Sequence, residues 1–252
     1  MYASTAPAPI PVGLLGGMGP AAGLDIARLF LESCRALLQA RGLAIQDQAY
    51  PEHWLAQVPV ADRTRALLDG PDAIVRVETQ LAGTLQRFEQ LGVRAVGIAC
   101  NTAHAWHAAL QARFPGLEIL HIARETARHV QRAGVTEVAL LATEGTYRNG
   151  LYDAAFTAAG IACHQPEADE RTQLMCGIYD GVKADDMALA EQCFTTVGAA
   201  LRARHGPDTM LIMGCTEIPL ALPQAPAAAG WPLVDPTRVL ARALAERAYA
   251  AG

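Results

Sequence analysis

Two cysteines carry the chemistry this chain could perform. Cys100 stands in ACNTAH at residues 99–104 and Cys215 in GCTE at residues 214–217, each directly after a short apolar run and one in each half of the 252-residue chain. Small amide or hydroxyl side chains follow both thiols: Asn101 and Thr102 after the first, Thr216 after the second. A thiol with a reference pKa of about 8.5 needs only moderate lowering to serve as a base in one state and an acid in the other near neutral pH. Two such groups facing one cleft can remove a proton from one side of a weakly acidic carbon and return one to the other side. Inversion of an amino-acid Cα requires this, and with two groups the substrate need not turn over. Backbone N–H groups in the turns after the two runs would lower the thiol pKa and hold a substrate carboxylate, with Asn101, Thr102 and Thr216 orienting it.

The runs before the two thiols, residues 94–99 and 209–214, are β-compatible. This puts both cysteines at the carboxyl ends of buried strands, where open α/β sheets place ligands. Strand and helix patterns alternate along the rest of the chain. The first half predicts strands over 11–16 and near 54–58 and the strand leading to Cys100. Its helices are expected from Pro20 to Gly42, over 62–68 and 72–91, and after Cys100 to about Phe114. Pro115 and Gly116 break the pattern and read as a hinge. The second half predicts strands at 117–122, 137–142, 161–164 and 209–214, and a last strand at 232–235 and helix at 238–248 that return to the first lobe. Such alternation predicts an α/β fold with parallel sheets covered on both faces. Residues 1–116 with 223–252 would form the lobe of Cys100, and residues 117–222 the lobe of Cys215.

Composition narrows the function classes. A hydrophobic content of 52% supplies the core of one large or two small domains. The net charge of −5 leaves no basic footprint for nucleic acid or an anionic membrane. No apolar run reaches spanning length, and the first eleven residues lack the make-up of a signal peptide, so a cytoplasmic protein with a short frayed leader is expected. The six cysteines show no CxxC spacing, which argues against a zinc ribbon or a disulfide framework. Cys34, Cys163, Cys176 and Cys193 read as small buried hydrophobes.

The glycine-rich loop at residues 13–22 invites a dinucleotide reading, because Gly17-Met-Gly-Pro-Ala-Ala fits GxGxxG/A between a strand and a helix. Pro20 removes one N–H donor from the helix start, and no suitably placed acidic residue follows the second strand. The loop therefore reads as a tight turn that also lets backbone approach a small anionic ligand.

GLLGGMGP at 13–20, ACNTAH at 99–104, LLATEGTYRNGLY at 140–152 and GCTEIPL at 214–220 together resemble the aspartate/glutamate racemase superfamily, and within it the aspartate-racemase branch. Cell-wall glutamate racemases typically open with Asp-Ser-Gly and follow their second Cys-Thr with His, where this chain has Gly-Gly-Met-Gly and Glu217. The resemblance implies two similar Rossmann-like lobes about a pseudo-twofold axis, an active site in the cleft between them, no cofactor or metal, and a homodimer. It implies that Cys100 and Cys215 exchange the roles of acid and base, and that Met18, Thr143 and Thr146 join Asn101, Thr102 and Thr216 in binding substrate. Arg63 matches the branch's Pro-Asp-Arg-Thr segment, and Lys183, the only lysine in the chain, falls where the branch carries a lysine. The two cations would hold a distal carboxylate and favour thiolate. His104 is expected to support the site, and Glu217 to cap its turn or tune Cys215. Gln57-Val58 replaces the branch's Asn-Pro, and Ala22-Gly23 its Ala-Thr, so both departures bear on the side-chain pocket.

The expected activity is cofactor-independent interconversion of L- and D-amino acids, aspartate and/or glutamate, with a small molecule as the only other partner besides a second subunit. Three alternatives stand beside it, one being a pyridoxal-phosphate enzyme with Lys183 as its Schiff base, for which the sequence shows no accompanying phosphate motif. A maleate isomerase, hydantoin racemase or decarboxylase-like relative would keep the fold and change the reaction. A two-lobed amino-acid-binding protein would leave both thiols dispensable.

Overall fold

The computed structural model describes residues 9–250, so most of the expected leader lies outside the described residues. Val12–Gly16 (β1) is buried along its whole length and pairs in parallel on both sides, with His53–Gln57 (β2) and Ala95–Ile98 (β3). Glu118–Ile119 (β4) adds to the far side of β3, giving the order β2-β1-β3-β4. The second half repeats this plan with Glu137–Ala142 (β5), Ala162–His164 (β6), Met210–Gly214 (β7) and Leu233–Val234 (β8) in the order β6-β5-β7-β8, again all parallel. The fold is thus α/β with two Rossmann-like sheets of the same strand order. Parallel strands need crossovers that bury both sheet faces, and this accounts for the unbroken apolar character of β1, β3 and β7.

The helices are Pro20–Ala40 (α1), Arg63–Asp69 (α2), Pro71–Gln90 (α3), His107–Arg113 (α4), Ile122–Arg132 (α5), Glu144–Arg148 (α6), Leu151–Ala158 (α7), Ala168–Cys176 (α8), Met187–His205 (α9) and Pro236–Ala250 (α10). The segment after Cys100 is tighter than expected: a 3-10 turn over Thr102–Trp106 precedes α4. No helix among the described residues is long and apolar enough to cross a membrane.

Two boundaries read from the sequence need correction. The strand after Pro115-Gly116 belongs to the first sheet, because Glu118 N donates to Arg94 O and Leu120 N to Val96 O, at 2.8 and 2.9 Å. The chain therefore crosses to the second sheet after Leu120, not at Gly116. The last strand, β8, pairs with β7 in the second sheet and does not return to the first. Only α10 goes back, packing on α1 and β3. One apolar core runs from β1, α1 and α10 through α5 into β5 and β7, and a second fills the other face of the first sheet under α3 and α4.

The glycine-rich loop is a strand-to-helix turn, as its structural reading has it. Gly17 has φ +90, and a Cβ there would run into the backbone of Val58. Pro20 takes the first position of α1, where its missing N–H costs nothing. Gln57 lies over Gly23 and donates to Pro20 O at 2.9 Å. The two departures from the branch pattern thus fill one another's space, and neither residue lines the cleft described next.

Candidate active site

β3 and β7 occupy corresponding positions in their sheets, and each ends just before a thiol: Cys100 follows Ala99, and Cys215 follows Gly214 directly. Both thiols line one small cavity between the sheet ends, together with Met18, Arg63, Asn101, Thr102, Thr143, Lys183, Thr216 and Glu217. The cavity holds about 20 Å³, room for about one water. A far larger open groove of about 580 Å³, behind the junction of the halves, is lined by His107, His121 and Arg124 but by no thiol or carboxylate.

Arg63 is 8% exposed and begins α2. Its guanidinium fork is committed to backbone: Nη1 donates to Val60 O and Ala61 O at 3.0 and 3.2 Å, and Nη2 to Met18 O at 2.6 Å. Nε is buried with no hydrogen-bond partner among the described residues. Burial opposes its charge, but Cys100, Asp62 and Glu217 outweigh this and hold it firmly protonated. Lys183 is less constrained. Its Nζ lies 3.7 Å from Glu217 Oε1 and 4.8 Å from the centre of the Tyr179 ring.

Cys215 donates to Glu217 Oε2 at 2.9 Å, and Thr216 Oγ1 donates to the same oxygen at 3.2 Å. Burial first, then the Glu217 carboxylate, pushes the Cys215 thiol well above its ordinary range, against a smaller opposing pull from Lys183. Cys215 is therefore held as a thiol. Across the cleft, the hydroxyls of Thr102, Thr143 and Thr146 form a closed triangle with sides of 2.9, 3.1 and 3.1 Å. Thr146 stands behind the lining and reaches the site only through this triangle.

His104 does not face the cleft. It is fully buried, with Nδ1 2.9 Å from Cys100 O and Nε2 3.2 Å from Leu120 O, so it braces the thiol's backbone from behind. Asn101 Oδ1 accepts from the Tyr152 hydroxyl, while its Nδ2 is buried with no partner among the described residues.

Sequence reasoning missed three lining residues: Asp62, Thr64 and Tyr179. Asp62 carries a readable signal as the N-cap of α2, accepting from Arg65 N at 2.8 Å. Its second oxygen accepts from the Tyr179 hydroxyl at 2.7 Å, a contact between the two halves that no local pattern announces. Tyr179 is delivered by a single wide helical turn, Gly177–Gly181, of a kind frequent at functional sites.

Two thiols at matching strand ends, with hydroxyls and two residues of each charge beside them, thus line one small cleft between the halves. The chain belongs to the Asp/Glu/hydantoin racemase family, whose profile it matches over residues 15–244. It is similar to the broad specificity amino-acid racemase RacX of Bacillus subtilis, 25% identical over 59% of this chain and 61% of that protein's length. A Pectobacterium carotovorum protein without an assigned activity is 31% identical over 51% of this chain and 84% of its own. The fold is that of the aspartate racemase of Picrophilus torridus, with a TM-score of 0.74, 24% identity, and 95% and 94% of the two chains covered.

Proposed function

We propose that the protein is a cofactor-independent racemase that interconverts L- and D-amino acids, aspartate and glutamate foremost, by proton transfer between Cα and the thiols of Cys100 and Cys215. The observation that carries this is the convergence of both thiols, each with its own amide or hydroxyl neighbours, on one cleft. In one direction the Cys100 thiolate takes the Cα proton and the Cys215 thiol delivers its own to the opposite face. Cys100 ends as a thiol and Cys215 as a thiolate, and the reverse reaction exchanges them. Between the transfers the electron pair left on Cα spreads into the α-carboxylate, which Asn101 Nδ2 and the hydroxyls of Thr102, Thr143 and Thr216 receive. Arg63 is the counter-charge on the Cys100 side, and Lys183 with Glu217 serves Cys215. The proposal extends to a cytoplasmic homodimer acting on free amino acid.

With its fork already held by three carbonyls, Arg63 is poorly free to clamp a side-chain carboxylate, so that task falls to Lys183. A second reading, broad specificity for amino acids, is favoured by the charge balance of the lining: Arg63 and Lys183 against Asp62 and Glu217. The balance suits a zwitterion without further charge.

The test is incubation of enantiopure amino acids in D2O without added cofactor, following optical rotation and deuterium at Cα. Aspartate or glutamate should racemise, and Cys100→Ser and Cys215→Ser should each lose on the order of 10² or more in rate. Full racemisation by either variant overturns the two-thiol mechanism. Lys183→Ala should impair aspartate far more than alanine; equal losses for both favour the broad reading.

A further inference from the structure

We propose that Tyr152 is a positioning residue for the substrate α-carboxylate: its hydroxyl holds the Asn101 carboxamide with the oxygen turned away from the cleft, so that the Nδ2 hydrogens face the substrate. The inference rests on the racemase proposal and extends it to a residue behind the cleft wall.

Asn101 and Tyr152 are 2% and 1% exposed and come from different halves of the molecule, Asn101 from the turn after β3 and Tyr152 from the first turn of α7. The Tyr152 hydroxyl donates to Asn101 Oδ1 at 2.5 Å. A carboxamide carries one oxygen and one NH2 on opposite branches, so fixing the oxygen fixes where the two N–H bonds point. Asn101 lines the cleft, and its Nδ2 is a buried polar atom without a partner among the described residues. A buried donor left without an acceptor is costly, and a fold retains one where a ligand supplies the acceptor. The α-carboxylate of an amino acid is such an acceptor.

Tyr152 is suited to this task. Burial pushes its phenol well above the ordinary range; the Thr126 hydroxyl opposes this, and Asp235, Cys163 and Cys215 add to it. The phenol therefore remains a donor at any working pH. Its ring stacks on Phe156 with centroids 5.7 Å apart, which fixes the direction of the hydroxyl. Tyr152 does not line the cleft, so it acts only through Asn101.

Tyr152→Phe keeps the ring and removes only the hydroxyl. Wild type, Tyr152→Phe, Asn101→Ala and the double variant form a cycle, read as the Kd of L-aspartate by calorimetry and as KM and kcat for its racemisation. Tyr152→Phe should weaken Kd about tenfold and lower kcat as well, so that kcat/KM falls by more than Kd weakens, and the double variant should bind no more weakly than Asn101→Ala alone. Additive losses in the double variant, or a lowered Tm with unchanged Kd, would reduce Tyr152 to a packing contact and overturn the proposal. Should Tyr152→Phe fail to fold, Asn101→Asp gives an independent reading. It keeps an acceptor for Tyr152 but turns negative charge toward the substrate carboxylate, so it should bind L-aspartate more weakly than Asn101→Ala. Tighter binding would mean that the amide oxygen faces an α-ammonium, which overturns the orientation. A wild type that binds L-aspartate with these couplings yet does not racemise it leaves the positioning intact and removes the racemase reading. A wild type that binds neither L-aspartate nor an uncharged L-amino acid such as L-alanine overturns both.

Discussion

Cys100 and Cys215 end equivalent strands yet keep different company. Cys100 has a guanidinium held rigidly by three carbonyls, whereas Cys215 has a carboxylate that accepts its hydrogen bond and a flexible ammonium beyond that. After burial, Glu217 is the main influence raising the Cys215 thiol. Glu217→Gln removes the negative charge and keeps the shape, so the pH at which Cys215 becomes a thiolate should fall. The check is the rate of alkylation at Cys215 against pH, read by peptide mapping; an unmoved midpoint would mean that burial alone sets it. Burial is also the leading influence on three thiols outside the cleft. Burial pushes Cys34 and Cys163 up to about 12, and burial with the neighbouring Cys176 pushes Cys193 up to about 11. Cys34 and Cys193 are buried, as the sequence suggested, whereas Cys163 and Cys176 are only half-buried.

The elements divide into those the sequence announces and those it does not. β1, β3, β5 and β7 are largely buried apolar runs, and α3 shows its apolar stripe directly, so these were legible. The two-residue strands β4 and β8 were also located, but their sheet was not, since periodicity says nothing about which neighbour a strand joins. Most cleft residues were legible because they lie within two residues of a thiol or inside a compact motif. Asp62, Tyr179 and Tyr152 were not, because their roles exist only once the two halves meet. The crossing between the sheets also gathers His104, His107 and His121, with ring centroids 4.8–6.3 Å apart. Burial and then His107 lower His104 from 6.5 to about 4, and burial and then the other two rings lower His121 to about 2. The folded protein thus binds fewer protons here than the unfolded chain does between pH 6.5 and 4. Stability should be full above pH 6.5 and fall steadily toward pH 4. Urea midpoints measured across this range test it, and His104→Gln, which cannot protonate, should flatten the decline.

At the scale of the whole molecule, the cleft is closed around a space too small for an amino acid. The halves are tied across it by the threonine triangle, by Tyr152 to Asn101 and by Tyr179 to Asp62. On the racemase proposal, substrate enters as these contacts part, and closure afterwards excludes water from the reacting carbon. Gly145 in α6 marks a tight approach of the halves: a Cβ there would lie 2.9 Å from Thr64 Oγ1 and 3.1 Å from Thr102 Cγ2 of the other half. Gly145→Ala should wedge the halves apart, quicken bromoacetate alkylation of Cys100 and Cys215, and lower kcat/KM on the order of 10². Alkylation that is no faster than in wild type would show that the contact yields without opening the cleft. The unlike surroundings of the two thiols carry one more consequence for a racemase. Mirror-image amino acids have equal free energies in solution, so the equilibrium constant is one and kcat/KM must be identical for both enantiomers. The rigid guanidinium on one side and the carboxylate on the other therefore cannot tilt the product ratio. Their difference can surface only as a matched displacement, in which the enantiomer with the lower KM is turned over more slowly in the same proportion.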